Sequence, residues 1–191
     1  PVVVIWQPGN MRRDLGPHGT HKLLHISQEM AKEAGLPGIC FIAMKWPEAA
    51  VDAQAIETLK ADGFSMTSIY HYMGTGDRTP ANPARYDFSL VAESSPEFWN
   101  RNHKAGVLPF LPNLSTGWND FPWHFYGGTA VENRTPELFR EICRDARRFA
   151  DRTGIRRLVL APLNEWGEGS YAEPNREYKF KMYEAVRDAF A

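Results

Sequence analysis

The sequence lacks several features that would place it in a functional class at once. Its 191 residues include only two cysteines, which are too few for a disulfide framework. The formal net charge of -1 gives no basic surplus for binding nucleic acid or an anionic membrane. No apolar run is long enough to span a bilayer, and no glycine-rich phosphate-binding fingerprint follows the first apolar run. The remaining composition is typical of a soluble globular protein.

Metal and cofactor motifs are equally scarce. His21 and His25 stand four residues apart, a spacing that can bind a metal, but no glutamate accompanies them as in a zincin. We therefore interpret both as solvated and expect no cofactor and no metal. The chain starts directly with an apolar run, so we expect it to be the C-terminal part of a longer protein. Its localisation is left open by the sequence.

Apolar segments and amphipathic segments alternate along the whole chain. The pattern predicts strands over residues 2–6, 39–44, 64–71, 107–112 and 158–163, the fourth weakened by its prolines. Helices are predicted over residues 20–34, 50–61, 95–104, 135–150 and 175–190. Leu23, Ser27, Met30, Ala31 and Ala34 are assigned to the inner face of the first helix. The strands are apolar throughout rather than alternating, which favours an α/β fold with a parallel sheet covered by helices.

Two architectures fit five such units: an open doubly wound sheet, or part of a (β/α)8 barrel of the TIM type. Polar or aromatic residues follow the end of every predicted strand, where such barrels place their sites. They are Trp6 and Gln7, Lys45 and Trp46, His71 and Tyr72, Asn113 and Trp118, and Asn164 and Glu165. An open sheet would concentrate its site at one switch point, so we favour a partial barrel forming a single domain over residues 1–191. Because five strands cannot close it, we expect a missing N-terminal half or a second chain to complete it.

The most informative stretch follows the last predicted strand, where Glu165 and Glu168 flank Trp166 and Gly167. Glycosidic bonds are usually cleaved by two carboxyl groups, one of which protonates the leaving oxygen. Residues three apart on a helical turn bring their side chains within roughly 5–6 Å. That separation is near the ~5–5.5 Å of retaining glycosidases. The alternative is that these carboxylates only cap backbone amides or pair with arginines.

The motif N-E-W-x-E-G followed by E-P at residues 164–174 resembles the C-terminal signature of the family-99-like glycoside hydrolases. That group includes endo-α-mannosidases and the bacterial WbsX-type proteins, which are often described as glycosyltransferases. Residues 115–120, with Pro122 and Trp123, resemble the same group's preceding loop. The resemblance covers essentially the whole chain but only the second half of the family's barrel. It implies that Glu165 acts as a base on the sugar's own 2-hydroxyl and that Glu168 serves as general acid and then general base. Where endo-acting members commonly have histidine, this chain has Gly167.

Eleven further residues are candidates for binding the oligosaccharide or polysaccharide substrate. For each aromatic ring the alternative is a lid over the core; for Asn119 and Asp120 it is a turn, and for His71 a packed, hydrogen-bonded histidine. The candidates are Trp46, Tyr70, His71, Tyr72, Trp118, Asn119, Asp120, Trp123, Asn164, Trp166 and Tyr171. The sequence thus supports three hypotheses: a retaining glycoside hydrolase, which we prefer here, a glycosyltransferase of polysaccharide assembly, and a non-catalytic carbohydrate-binding barrel.

Overall fold

The computed structural model describes residues 1–45, 52–72, 85–124 and 128–191. The chain divides into two compact units. The first comprises Pro1–Ile69 with Arg101–Leu111, and the second Tyr70–Asn100 with Pro112–Ala191. Trp46, one of the predicted substrate-binding residues, lies outside the described residues.

The first unit is built on a three-stranded parallel sheet in the order β1-β2-β3. Residues around Phe110 add one further parallel bridge, to Thr67 of β3. The helices cover an apolar core that includes Phe41 and Ala43 of β2 and Leu24 of α1. The elements are β1 Val2–Trp6, α1 Pro8–Glu33, β2 Cys40–Lys45, α2 Ala53–Asp62 and β3 Met66–Ile69.

Among its described residues, the second unit contains three short strand pairs and two helices that pack against each other. Two pairs are parallel, β4 with β6 and β5 with β7, whereas β8 and β9 form an antiparallel pair. The inner face of α4 is fully buried and includes Phe139, Ile142 and Cys143. The elements are β4 Arg85–Asp87, β5 Asn113–Ser115, β6 Ala130–Glu132, α4 Pro136–Thr153, β7 Val159–Ala161, β8 Asn164–Glu165, β9 Ser170–Tyr171 and α5 Lys181–Phe190. Helix α3, Phe88–Ala105, contributes residues to both units.

The predicted α/β class with alternating parallel β/α units is confirmed. The strand pairs of the described ranges do not close a barrel. Four boundaries differ most from the predictions. The first helix begins at Pro8 and bends at Gly16, and the third helix begins at Phe88, so that Pro96 lies inside it. The fourth strand lies at Asn113–Ser115, and the last helix begins at Lys181. The fourth strand shifts because Pro109 and Pro112 have no N–H group to donate to a neighbouring strand.

The inner face of α1 was assigned correctly only at Ala31, which is buried together with Thr20 and Leu24. Met30 is 63 % exposed, Leu23 and Ala34 are also exposed, and Ser27 is half-buried. The alternative face was hard to select because both stripes carry apolar residues at helical spacing. In the described part of the chain, no helix combines the length and the apolar character needed to cross a membrane.

Candidate active site

The hairpin of β8 and β9 carries the two glutamates. Glu165 pairs with Ser170 across the hairpin, and residues Trp166–Glu168 between the strands form a single turn of 3-10 helix. Glu165 is the N-cap residue of this turn and Glu168 is its last residue, and the charge of Glu165 acts on the carboxyl group of Glu168. Gly169 ends the turn with φ 59°, a left-handed conformation that glycine adopts without strain. The loop is thus helical over Trp166–Glu168, as the predicted carboxylate pairing requires, and the pairing itself stays a prediction.

The environment of Glu168 favours its protonated form. Burial raises the pKa of its carboxyl group, and the charges of Glu165 and Asp120 raise it further, while His124 acts weakly in the opposite direction. A carboxyl group whose pKa is raised in this way is better suited to donate a proton, which acid catalysis at an acetal requires.

Tyr70 joins the pair from the end of the segment after β3. Burial raises the pKa of its phenol, the charges of Glu165 and Glu168 add to that effect, and a hydrogen bond to Glu165 contributes as well. The neutral phenol donates this bond to the carboxylate. Tyr70 was predicted as a substrate-binding residue, and the structure places it against both glutamates.

A loop preceding β6 is bound to the glutamate hairpin through its backbone. The Asn119 N–H donates to the Glu168 carbonyl at 2.6 Å, and the Trp123 indole N–H donates to the Gly167 carbonyl at 2.7 Å. The buried Ser170 hydroxyl reaches the carbonyls of Gly117 and Glu168. The carboxylate of Asp120 accepts a hydrogen bond from the Thr129 N–H of the same loop. The loop before β6 and the hairpin that carries the two glutamates are thus hydrogen-bonded to each other.

Gly167 allows the indole of Trp123 to lie directly on the turn. A Cβ atom at this position would be 3.0 Å from Trp123 Cζ2 and 3.3 Å from its Nε1. Contacts this short require the ring or the turn to move. Gly167 therefore has a local steric function here.

Arg134 connects the same two loops and was missed by the sequence analysis. Its guanidinium donates to the carbonyls of Thr116 and Gly169 and lies 4.3 Å from the centre of the Tyr171 ring. The Tyr178 hydroxyl donates to the Arg134 carbonyl at 2.7 Å. The first two partners are 18 and 35 positions away in the chain, so no local motif marks this arginine as part of the site.

The aromatic candidates fall into an exposed and a buried group. Trp123 is 65 % exposed, and Trp166, which stacks on Tyr171 with ring centres 3.9 Å apart, is also exposed. Trp118 is only 8 % exposed and Tyr72 only 3 %, the latter stacked on Phe98. A sugar ring reaching the surface of the site can stack on the first group without rearrangement, whereas the second group packs in the interior.

The remaining candidates differ in exposure. Asn164 and Asn119 are exposed, on β8 and in the polar loop. His71 is buried, and burial lowers the pKa of its imidazole to about 3, so the ring is neutral. Its edges contact Tyr70 and Trp118 at ring-centre distances of 4.5 and 4.6 Å. As residues that bind substrate, all of them stay predictions.

Among the described residues, no cluster of three or more histidine, cysteine, aspartate or glutamate side chains can hold a metal ion. His21 and His25 are exposed, as expected, and His21 Nδ1 lies 3.0 Å from the carbonyl oxygen of Ala61.

The sequence model of the family described as Glycosyltransferase WbsX matches residues 1–186. The chain belongs to this family. Searches of curated proteins and of solved structures found no match. The resemblance inferred from the N-E-W-x-E-G motif is thereby confirmed for WbsX, and the protein is a member of a carbohydrate-active family. The family description supports the glycosyltransferase hypothesis better than the hydrolase hypothesis that we preferred from the sequence.

Proposed function

We propose that this WbsX-family protein transfers glycosyl groups, with Glu165 and Glu168 as the catalytic carboxyl pair. One observation carries the proposal: the two glutamates share one turn, and the neighbouring charge and burial raise the pKa of Glu168. In the first step, Glu168 protonates the leaving oxygen while Glu165 removes the proton of the sugar's 2-hydroxyl, whose oxygen attacks the anomeric carbon. In the second step, the acceptor attacks that carbon and gives its proton to Glu168, while the bond between the 2-oxygen and the anomeric carbon breaks and Glu165 returns its proton to the 2-oxygen.

The acceptor decides the reaction class. A sugar hydroxyl as acceptor gives the transferase reaction indicated by the family description. Water as acceptor gives a retaining glycoside hydrolase. The pair of carboxyl groups favours this second candidate, because glycosidases usually cleave their substrates with two carboxyl groups. Both reactions use the same carboxyl groups in the same roles.

The fold proposal is finer than the observed α/β architecture. We infer that the parallel β/α units form part of a (β/α)8-type catalytic barrel, with the site at the carboxyl ends of its strands. The order β1-β2-β3 and the parallel pairing of β5 with β7 support this inference. A structure of the complete native gene product tests it, and an open sheet with a single switch point there would contradict it.

The reaction is tested by presenting glycans and nucleotide sugars separately to the native gene product. Turnover of a glycan alone, with products analysed for water or sugar incorporation and for anomeric configuration, supports chemistry at an existing glycosidic bond. A strict requirement for a nucleotide-sugar donor supports a transferase that does not cleave glycans.

A pair of variants tests the residues. Glu168→Gln should lower turnover by about 10²- to 10⁴-fold, since it removes the proton donor, and should retain the fold and glycan binding. Glu141→Gln, an exposed glutamate on α4, makes the same change away from the site and should leave turnover unchanged. Full activity of Glu168→Gln on every substrate of the wild type would falsify the assignment.

A further inference from the structure

The first unit contains a cavity of about 450 Å³ that the carboxylate chemistry does not use. It lies where β1 and β2 end and where α1 begins, and α2 forms its opposite wall. Most of its surface is apolar. The residues that matter for its chemistry are Gln7, Asn10, Arg12, Lys45, Thr58 and Leu59. The carboxyl ends of parallel strands are the usual place for ligands in α/β proteins.

Lys45 is the unusual member of this lining. It is the last residue of β2 and follows Phe41 and Ala43 at intervals of two, so it lies on the same face of the sheet as these two core residues. Its side chain therefore continues this apolar row at the end of β2, where Lys45 lines the cavity. The residue is only 8 % exposed, and its Nζ atom has no hydrogen-bond partner among the described residues.

The other charges near the cavity already have partners. Arg12 forms an ion pair with the buried carboxylate of Asp62. Asp52 caps α2 by accepting hydrogen bonds from the N–H groups of Gln54 and Ala55 at 3.0 and 3.1 Å. Its charge still reaches Lys45: burial lowers the pKa of the amine, and Asp52 partly opposes this. An ammonium with unfilled donors in such a place is costly unless a ligand supplies acceptors.

The beginning of α1 adds a second reason to expect a negative ligand. Gln7, Pro8, Gly9 and Asn10 line the cavity, and they are the N-cap and first turn of that helix. No side chain caps this end. The N-terminal end of a helix carries a partial positive charge, which favours anions. The first turn of α1 and Lys45 thus line the same mainly apolar cavity.

We propose that this cavity binds a ligand with an oxyanion, either a sugar carboxylate or a phosphate, which accepts hydrogen bonds from Lys45 while its ring or apolar body contacts Leu59 and Thr58. In a carbohydrate-active protein the two sources of such a group are a uronic acid and a nucleotide diphosphate. The proposal does not depend on the roles of Glu165 and Glu168.

Calorimetric titration of the chain with four probes tests the site and separates the sources. The probes are methyl β-D-glucuronide and uridine diphosphate, with the neutral methyl β-D-glucoside and uridine as controls. The wild type should bind at least one anion and neither neutral probe. Lys45→Met should weaken that binding by about tenfold or more, because it removes the charged donor. Lys60→Met, an exposed lysine on α2, makes the same charge change and should bind as the wild type.

Two results would overturn the proposal. One is equal anion binding by Lys45→Met and wild type; the other is no binding of either anion by the wild type at about 10 mM. If Lys45→Met is not folded by circular dichroism, the pair Lys45→Arg and Lys45→Gln decides. Binding by the arginine variant alone supports the site, and equal binding by both contradicts it.

Discussion

Glu168 and Lys45 are ionisable groups that are both partly shielded from water, but they differ in the charges that surround them. In both, burial is the main cause of a pKa shift toward the neutral form, upward for Glu168 and downward for Lys45. Their neighbours differ. Glu165 and Asp120 are like charges and reinforce the effect of burial, whereas Asp52 is an opposite charge and opposes it at Lys45.

The difference indicates two functions for a buried charge. Like charges around a carboxyl group make it retain a proton that can be given to a substrate. An unfilled cation facing an apolar cavity instead gains from a ligand that brings the missing counter-charge. Glu168 is suited to exchange a proton, and Lys45 is suited to bind.

The largest expected effect concerns Arg134, which holds together the loops around the carboxylate pair and has no counterpart at the Lys45 cavity. Arg134→Met keeps the aliphatic stem but leaves the carbonyls of Thr116 and Gly169 without their donor. We expect the free energy of unfolding to fall by about 3 kcal/mol, measured by urea denaturation. Arg144→Met, on the exposed face of α4, is the control and should change it by less than about 0.5 kcal/mol. Equal stability of the two variants would mean that Arg134 does not hold the loops together.

The next effect distinguishes a buried aromatic candidate, Tyr72, from an exposed one, Trp123. Tyr72→Leu should lower the free energy of unfolding by about 2 kcal/mol, because it removes a buried ring stacked on Phe98. Trp123→Leu should lower it by less than about 1 kcal/mol but weaken glycan binding roughly fivefold, because an exposed stacking surface is lost. Thermal unfolding and glycan titration measure the two quantities. Unchanged glycan binding by the Trp123 variant would remove it from the substrate site.

A smaller effect of opposite sign is expected at Lys45. Without ligand, Lys45→Met should raise the free energy of unfolding by about 1 kcal/mol at neutral pH, since it removes a buried charge. The folded-state pKa of Lys45 lies below its ordinary value of 10.5, so the wild type gains stability as pH rises through that interval. The advantage of the variant should therefore shrink at alkaline pH. Asp52 and Arg12 are the other charged groups near the amine and are unchanged by the substitution. A loss of stability at neutral pH would contradict the buried-charge interpretation.

The subtlest test concerns the coupling between the glutamates. Glu165→Gln removes a like charge and should lower the pKa of Glu168, as measured by NMR titration of its carboxyl carbon. Asp188→Asn, on α5, removes the same charge elsewhere and should have no effect. An unshifted pKa of Glu168 in the first variant would show that the charge of Glu165 does not contribute to it.

Local features of the site were readable from the sequence, and long-range ones were not. The three-residue spacing of Glu165 and Glu168 predicted their proximity, because one helical turn is enough to bring them together. Arg134 escaped notice because its partners lie in other loops. The interior position of Tyr72 was equally hidden, since an aromatic residue at a strand exit is compatible with either a lid or a binding surface.

The helix boundaries, too, were predicted correctly at some positions and incorrectly at others. A Ser or Thr followed by Pro predicted the helix starts at Thr135 and Ser95. The Thr135 hydroxyl accepts a hydrogen bond from the Leu138 N–H as such caps do, whereas Ser95 and Pro96 lie inside α3. The first helix was predicted from residue 20, yet the chain is helical on both sides of Gly16 and Pro17 because a bend at Gly16 accommodates both residues.

The contact between Gly167 and Trp123 has a consequence for how the site can diversify. The indole occupies the space that any larger residue at position 167 would need. Replacing Gly167 with a residue that has a larger side chain would therefore displace the Trp123 indole and change the shape of the surface beside the turn. Glu165 and Glu168 would keep their positions.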